Sequence, residues 1–164
     1  MDTMRIDFHA HVLPKADHGS SDLAASCKQL KEARDAGVDL IVATPHFYPN
    51  RHRVETFLER REKAAKEAEA AFTEYSIERR LGAEVLLCEG LENLKGLDAL
   101  CIENTSCILL EMPFEPLSDR ILNTIYEIQT SCQLTPIMAH VDRYMHYDIE
   151  RVLALGVYAQ VNAS

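Results

Sequence analysis

Six residues spread along the chain have the side chains of a metal site: His9, His11, His46, Glu84, Glu111 and His140. His9 and His11 belong to the stretch Ile6-Asp7-Phe8-His9-Ala10-His11, where Ile6 and Phe8 alternate with polar neighbours. That period-2 pattern predicts a short strand with one face toward a core. Residues i and i+2 of a strand project to the same side, so the two imidazoles point together, and Leu13-Pro14 ends the strand just beyond them. Neutral imidazole and carboxylate suit Mn, Fe or Zn, whereas an all-oxygen Mg or Ca site has no need of four histidines. A single buried His or Glu is more often a satisfied core residue than a ligand. Glu84 and Glu111, however, sit in otherwise apolar stretches, where an unpaired carboxylate is costly and a cation makes its burial tolerable. Carboxylates also bridge ions, so a set of this size suggests two or three metals. Such a centre produces a hydroxide nucleophile near neutral pH and offsets charge on a phosphoryl group.

These residues need elements to gather them. After the first strand, residues 14–21 read as a loop punctuated by Gly19. Ser21-Asp22 opens a helix over 23–36, with Leu23, Cys27, Leu30 and Ala33 on one face, and Gly37 ends it. The run 38–43 is apolar apart from Asp39 and suits a strand buried on both faces, as in a parallel sheet. Thr44-Pro45-His46 closes it, and residues 47–53 form a loop. A long, Ala-rich helix follows over 54–75, with Glu59/Lys63 and Glu62/Lys66 at supportive spacing. Residues 77–87 predict a strand centred on Gly82-Ala83-Glu84, and 88–106 a mixture of helix and turn. Strands at 107–110 and 136–139, closed by Glu111 and His140, enclose a helix over 118–131. A short helix over 148–155 and a strand over 157–161 complete the pattern. Strand and helix alternate throughout without repeat or linker, which predicts one parallel α/β domain over 1–164. Short strands and long helices favour a β/α barrel, whose active residues gather at the C-terminal strand ends. The first turn lacks the G-x-G-x-x-G loop of a doubly wound dinucleotide fold.

Composition narrows the chemistry further. The 164 residues carry a net charge of -9, which argues against nucleic acid or anionic membrane as partner. No secretory signal or membrane-spanning apolar run is visible, so a cytoplasmic location is expected. The five cysteines include no C-x-x-C pair and read as free thiols in a reducing compartment. None is followed six residues later by the Arg that a cysteine-dependent phosphatase requires.

Taken together, His9-Ala10-His11, Thr44-Pro45-His46, Gly82-Ala83-Glu84, Leu110-Glu111-Met112 and His140-Val141-Asp142-Arg143-Tyr144 resemble the PHP (polymerase and histidinol phosphatase) superfamily. The opening D-x-H-x-H-x-L-P, the A-T-P-H and the late Q-V-N-A are most similar to its bacterial protein-tyrosine phosphatases of capsule and exopolysaccharide synthesis. The resemblance implies a distorted TIM-like (β/α)7 barrel with two or three divalent metals in its mouth, most often Mn, with Fe or Zn as alternatives. It implies hydrolysis of phosphotyrosine by metal-bound hydroxide, on a tyrosine kinase that controls polysaccharide export. By position, His9, His11 and Glu84 would serve one metal, His46, Glu111 and His140 the others, and Glu84 would bridge. Arg143 would clamp the phosphate, since a guanidinium fork matches two phosphate oxygens. Phe47 and Tyr48, with Arg51 and Arg53 beside them, would meet the substrate. His18 stands where the family has an acid before the loop glycine, so either His18 or Asp17 would complete the ligands. The family also supplies a late D-x-H pair and a second Arg beyond Asn162-Ala163-Ser164, so the last βα unit is expected to be missing. Pairing of two copies would cover the edges thus left open. The alternatives are a small-molecule phosphatase of the histidinol phosphate type and a catalytically silent metal-binding remnant.

Overall fold

Strand β1 (Ile6–Ala10) leads into helix α1 (Leu23–Asp35) and returns through β2 (Leu40–Ala43), which pairs parallel to β1. The computed structural model describes residues 3–114, 116–144 and 149–162. Helix α1 is capped by Asp22, whose carboxylate accepts the Ala25 N–H at 2.8 Å, one of the four amides a helix start leaves without a partner. The remaining elements are β3 (His46–Phe47), α2 (Val54–Glu74), β4 (Glu78–Leu81), β5 (Glu84–Leu86) and β6 (Cys107–Glu111). They are followed by α3 (Asp119–Thr130), β7 (Thr135–Met138), α4 (Ile149–Leu153) and β8 (Tyr158–Ala159).

The chain divides into two compact units, Met1–His46 with Glu55–Ala83, and Phe47–Val54 with Glu84–Ser164. In the first, a parallel sheet runs in the order β1-β2-β4. Its core joins Leu30 of α1, Ile41 and Ala43 of β2, and the inward stripe Ala64, Ala65, Ala68, Ala71 and Phe72 of α2. Small alanines on that stripe let a long helix lie close to a sheet. The second unit has a sheet of its own, in which β5-β6-β7-β8 are neighbours in that order and all parallel. Helix α3 packs on β7 and on the turn at Leu91–Asn93, burying Ile121, Ile125 and Ile128. Ser118 caps α3, accepting the Ile121 N–H at 3.2 Å.

The parallel α/β expectation is met, with three local corrections. First, Ile6 is 50% exposed because β1 is an edge strand, so its outer end has no core to enter. Second, the expected strand over 77–87 is two strands. β4 pairs with β2 in the first sheet, while β5 pairs with β6 in the second. Gly82 and Ala83 separate them; the Gly82 N–H donates to Ala43 and its carbonyl accepts from Arg61 Nη1 at 2.8 Å. A glycine has no side chain to hold a strand in register there. Glu84 therefore opens a strand instead of lying at the centre of one. Third, His46 opens β3 and does not close β2, since Pro45 has no N–H to continue the ladder. Between β5 and β6 the connection is two 3-10 turns, Leu91–Asn93 and Leu97–Leu100, whose apolar residues Leu91, Leu97 and Leu100 are buried. Asp148, where the last helix was expected to begin, lies outside the described residues. No helix among the described residues is long and apolar enough to cross a membrane.

Candidate metal-binding clusters

In the first unit, four imidazoles gather around the end of β1. The strand geometry does turn His9 and His11 the same way: their Nε2 atoms are 3.2 Å apart. Two donors about 2.1 Å from a single ion stand roughly 3.0–3.4 Å from each other, so this spacing fits a shared metal. His46 stacks on His11 with ring centroids at 4.7 Å, and His18 on His46 at 4.8 Å. One donor atom each from His11, Asp17 and His46 lie within 4.8 Å of one another.

Asp17 organises this group. Its Oδ2 accepts from His11 Nδ1 at 2.6 Å and from the His46 backbone N–H at 3.0 Å, while Oδ1 accepts the Gly19 N–H at 2.8 Å. Burial works against its charge, but the bond with His11 and the amides of Gly19 and His46 outweigh it and lower its pKa to about 2. An ionised carboxylate only accepts, so His11 must carry its proton on Nδ1. The neutral ring then carries its lone pair on Nε2, the atom that faces His9. Asp17 thus fixes the tautomer and aim of His11, as carboxylates behind metal-binding histidines commonly do. His18 is exposed and touches the group by ring stacking. Replacing Asp17 by Ala is expected to weaken Mn binding about 10–100-fold, read by titration calorimetry, with the helical circular dichroism signal retained.

Gly19 is the other local requirement. A Cβ placed there would lie 2.2 Å from His11 Cβ and 2.7 Å from the His11 carbonyl oxygen. Only a residue without a side chain lets the 14–20 loop fold back this tightly over the histidine.

In the second unit, Glu84, Glu111 and His140 are buried together. They are 1%, 7% and 2% exposed. His140 Nε2 lies 2.7 Å from Glu84 Oε1 and 4.0 Å from Glu111 Oε1. Two carboxylates and one imidazole buried this close form a donor set of the kind that Mn, Fe or Zn accepts.

His140 is held under strain, with φ at +32°, a conformation uncommon for a residue with a Cβ. Its backbone N–H donates to Gln160 Oε1 at 2.6 Å, and the Val141 N–H to the Gln160 carbonyl at 2.9 Å. The Asn162 N–H donates to Asp142 Oδ1 at 3.2 Å. Gln160 and Asn162 therefore pin the turn after β7, a role that spacing alone did not reveal. Tyr144, buried one turn on, donates its hydroxyl to the Met112 carbonyl at 3.4 Å, and burial and the charges of Glu111 and Glu84 push its pKa up. It stays a neutral phenol. Arg143 is exposed in the Val141–Tyr144 turn, free to extend from a fixed backbone. Phe47 is fully buried, so Tyr48, half-buried beside it, is the aromatic of that pair able to meet a substrate. Phe114, 83% exposed three residues past Glu111, was not anticipated. Its signal was a large aromatic in the loop leaving a strand that ends in a candidate ligand.

Parallel sheets carrying clusters of imidazole and carboxylate that could hold a metal ion define an α/β protein with candidate metal sites. The chain belongs to the CpsB/CapC family: residues 5–164 match the family described as capsular polysaccharide synthesis, CpsB/CapC. It is 28% identical over 141 residues to tyrosine-protein phosphatase YwqE of Bacillus subtilis (strain 168), covering 84% of this chain and 54% of that protein. It is 26% identical over 170 residues to tyrosine-protein phosphatase CpsB of Streptococcus pneumoniae, covering 96% and 67%. It shares the fold of a solved structure from a study of YwqE and CpsB, described there as unique metal-dependent tyrosine phosphatases. The TM-score is 0.76 at 23% identity, over 95% of this chain and 65% of that one. The chain thus spans about half to two-thirds of the length of these relatives.

Proposed function

We propose that the protein is a metal-dependent phosphoric monoester hydrolase acting on phosphotyrosine in proteins of capsule or exopolysaccharide synthesis, a tyrosine kinase of that apparatus being the favoured substrate. The observation that carries this reading is the buried Glu84–His140–Glu111 cluster, two carboxylates and an imidazole brought together as a metal-binding donor set. Membership of the CpsB/CapC family and the names of the relatives supply the substrate class. On this reading His9, His11 and His46 join Glu84, Glu111 and His140 in holding two or three metals, Mn being the favoured ion, within one distorted β/α barrel. Asp17 orients His11 instead of serving as a ligand. When bound, the metals supply a nucleophile of hydroxide strength near neutral pH and offset the charge of the phosphoryl oxygens.

The chain's own residues do the rest. Arg143 presents parallel N–H donors to two phosphate oxygens, which fixes the phosphorus for in-line attack. Tyr48 offers an aromatic face for the substrate ring. Burial of Glu84 and His140 keeps bulk water from competing for the site.

Purified protein supplied with Mn is expected to release phosphate from a phosphotyrosine peptide, and to lose that activity in EDTA and regain it with added Mn. Histidinol phosphate is expected to be a poor substrate. Faster hydrolysis of histidinol phosphate, or no hydrolysis of any aryl phosphate by Mn-loaded protein, would overturn the reading in favour of the small-molecule or the silent alternative. Arg143→Ala is expected to lower kcat on the peptide by about 10²–10³-fold with metal content unchanged, and Arg143→Lys to recover part of the loss.

A further inference from the structure

Residues 47–54 form a small, self-braced loop directly after His46. Tyr48 and His52 bind each other twice: the Tyr48 N–H donates to His52 Nδ1 at 3.1 Å, and the His52 N–H donates to the Tyr48 carbonyl at 2.9 Å. The Arg51 N–H donates to that same carbonyl at 2.9 Å. The His52 ring packs against Phe47 and Tyr48, with centroids at 5.8 and 5.5 Å. Arg51 places its guanidinium carbon 5.8 Å from the centre of the Tyr48 ring, within cation–π range. Pro49 restricts the backbone between them. The result is a preformed platform of one aromatic ring and one guanidinium, with a second cation, Arg53, exposed beside it.

Its charge is the opposite of its setting. The chain carries -9 overall, yet residues 47–54 (Phe-Tyr-Pro-Asn-Arg-His-Arg-Val) contain two arginines and no acid. Laid on the Tyr48 ring, the Arg51 guanidinium keeps its edge N–H groups available to a planar carboxylate. A basic point on an acidic molecule draws anionic segments and repels cationic ones more than its surroundings do.

Resting on the phosphotyrosine reading above, we propose that Tyr48 and Arg51 form a substrate lip that selects phosphotyrosines flanked by acidic side chains, with His52 as its positioning residue. The substrate ring meets Tyr48, and a neighbouring Glu or Asp pairs with Arg51. His52 touches no substrate; its Nδ1 sets the Tyr48 amide and so the angle of the ring.

The test is binding without turnover. Two fluorescent peptides carry difluorophosphonomethyl-phenylalanine in place of phosphotyrosine, one flanked by Glu and one by Lys, and are titrated with Mn-loaded protein at low ionic strength by anisotropy. The Glu-flanked peptide is expected to bind more tightly. Arg51→Ala is expected to weaken that peptide about 3–10-fold while leaving the Lys-flanked one nearly unchanged, and Arg51→Glu to reverse the preference. His52→Ala is expected to lose the preference, and His52→Asn to restore it, because the Asn amide oxygen reaches the Nδ1 position. His52→Gln, whose oxygen reaches too far, is expected to fail. Equal binding of the two peptides by the unaltered protein, no binding of either, or an Arg51→Ala variant that keeps the preference would overturn the lip. Hydrolysis of p-nitrophenyl phosphate, measured in parallel, separates the two claims. Activity without flank preference sinks the lip alone, and flank preference without activity sinks the phosphatase reading alone.

Discussion

Exchange of Glu84 for Gln is expected to abolish metal-dependent phosphatase activity, by about 10³-fold or more, while leaving the metal-free protein as heat-stable as before or more so. The two halves of this expectation follow from the same geometry. Glu84 is 1% exposed and lies 2.7 Å from His140, with Glu111 also buried nearby. In the metal-free protein, two carboxylates are buried beside one imidazole in a poorly solvated place. The Gln amide retains the size and hydrogen bonding of Glu84 and removes one of the charges, which relieves that burden. With metal present the balance inverts, because the variant lacks a carboxylate that would help to hold the ion. Added Mn is expected to raise the Tm of the unaltered protein, by linkage worth about 2.7 kcal/mol at a hundred times Kd, and to leave the variant unmoved. A variant that lost stability in the metal-free state but still bound Mn would assign Glu84 a structural role.

Gly19→Ala carries the second large effect, and it concerns the backbone. The added methyl group meets His11 Cβ at 2.2 Å and the His11 carbonyl at 2.7 Å, and neither is the end of a flexible side chain. The loop must open, which breaks the Gly19 N–H bond to Asp17 and with it the aim of His11. Overpacking of this kind costs roughly 1–3 kcal/mol or more, and here the cost falls on a metal ligand's support. The expected result is a lowered Tm together with a loss of Mn affinity at least as great as that from Asp17→Ala. Gly156→Ala is the control, since nothing stands within 4 Å of the added carbon although the positive φ exacts its own modest strain. Metal affinity unaffected in the Gly19 variant would separate the loop from the site.

What the sequence revealed, and what it concealed, divides by range. The pairing of His9 with His11 was legible because a strand's two-residue period is local and rigid. The burial of Glu84 and Glu111 was legible because apolar neighbours surround them in the text. Helices α1, α2 and α3 were recognisable from their apolar stripes, and α1 also from its Ser21-Asp22 start. The break at Gly82 was concealed, since an apolar run does not say which sheet each half joins. Ile6 misled because alternation marks two faces but does not tell that the strand lies at a sheet edge, where its outer end has no core to enter. Asp17 was seen only as a stand-in ligand. Its hold on His11 and His46 depends on the fold-back of a loop around Gly19 and on a residue 29 positions away. Gln160 reaches back 20 positions to His140 for the same reason. Spacing locates side chains that could do chemistry; the hydrogen bonds that aim them are made by residues distant in the chain.

The account is tested most directly by a crystal structure of the protein grown with Mn, with anomalous scattering recorded at the Mn edge. It predicts two or three anomalous peaks, each about 2.0–2.3 Å from imidazole nitrogens or carboxylate oxygens among His9, His11, His46, Glu84, Glu111 and His140. Asp17 is predicted to remain on His11 Nδ1. Peaks bound elsewhere, or none at saturating Mn, would contradict it.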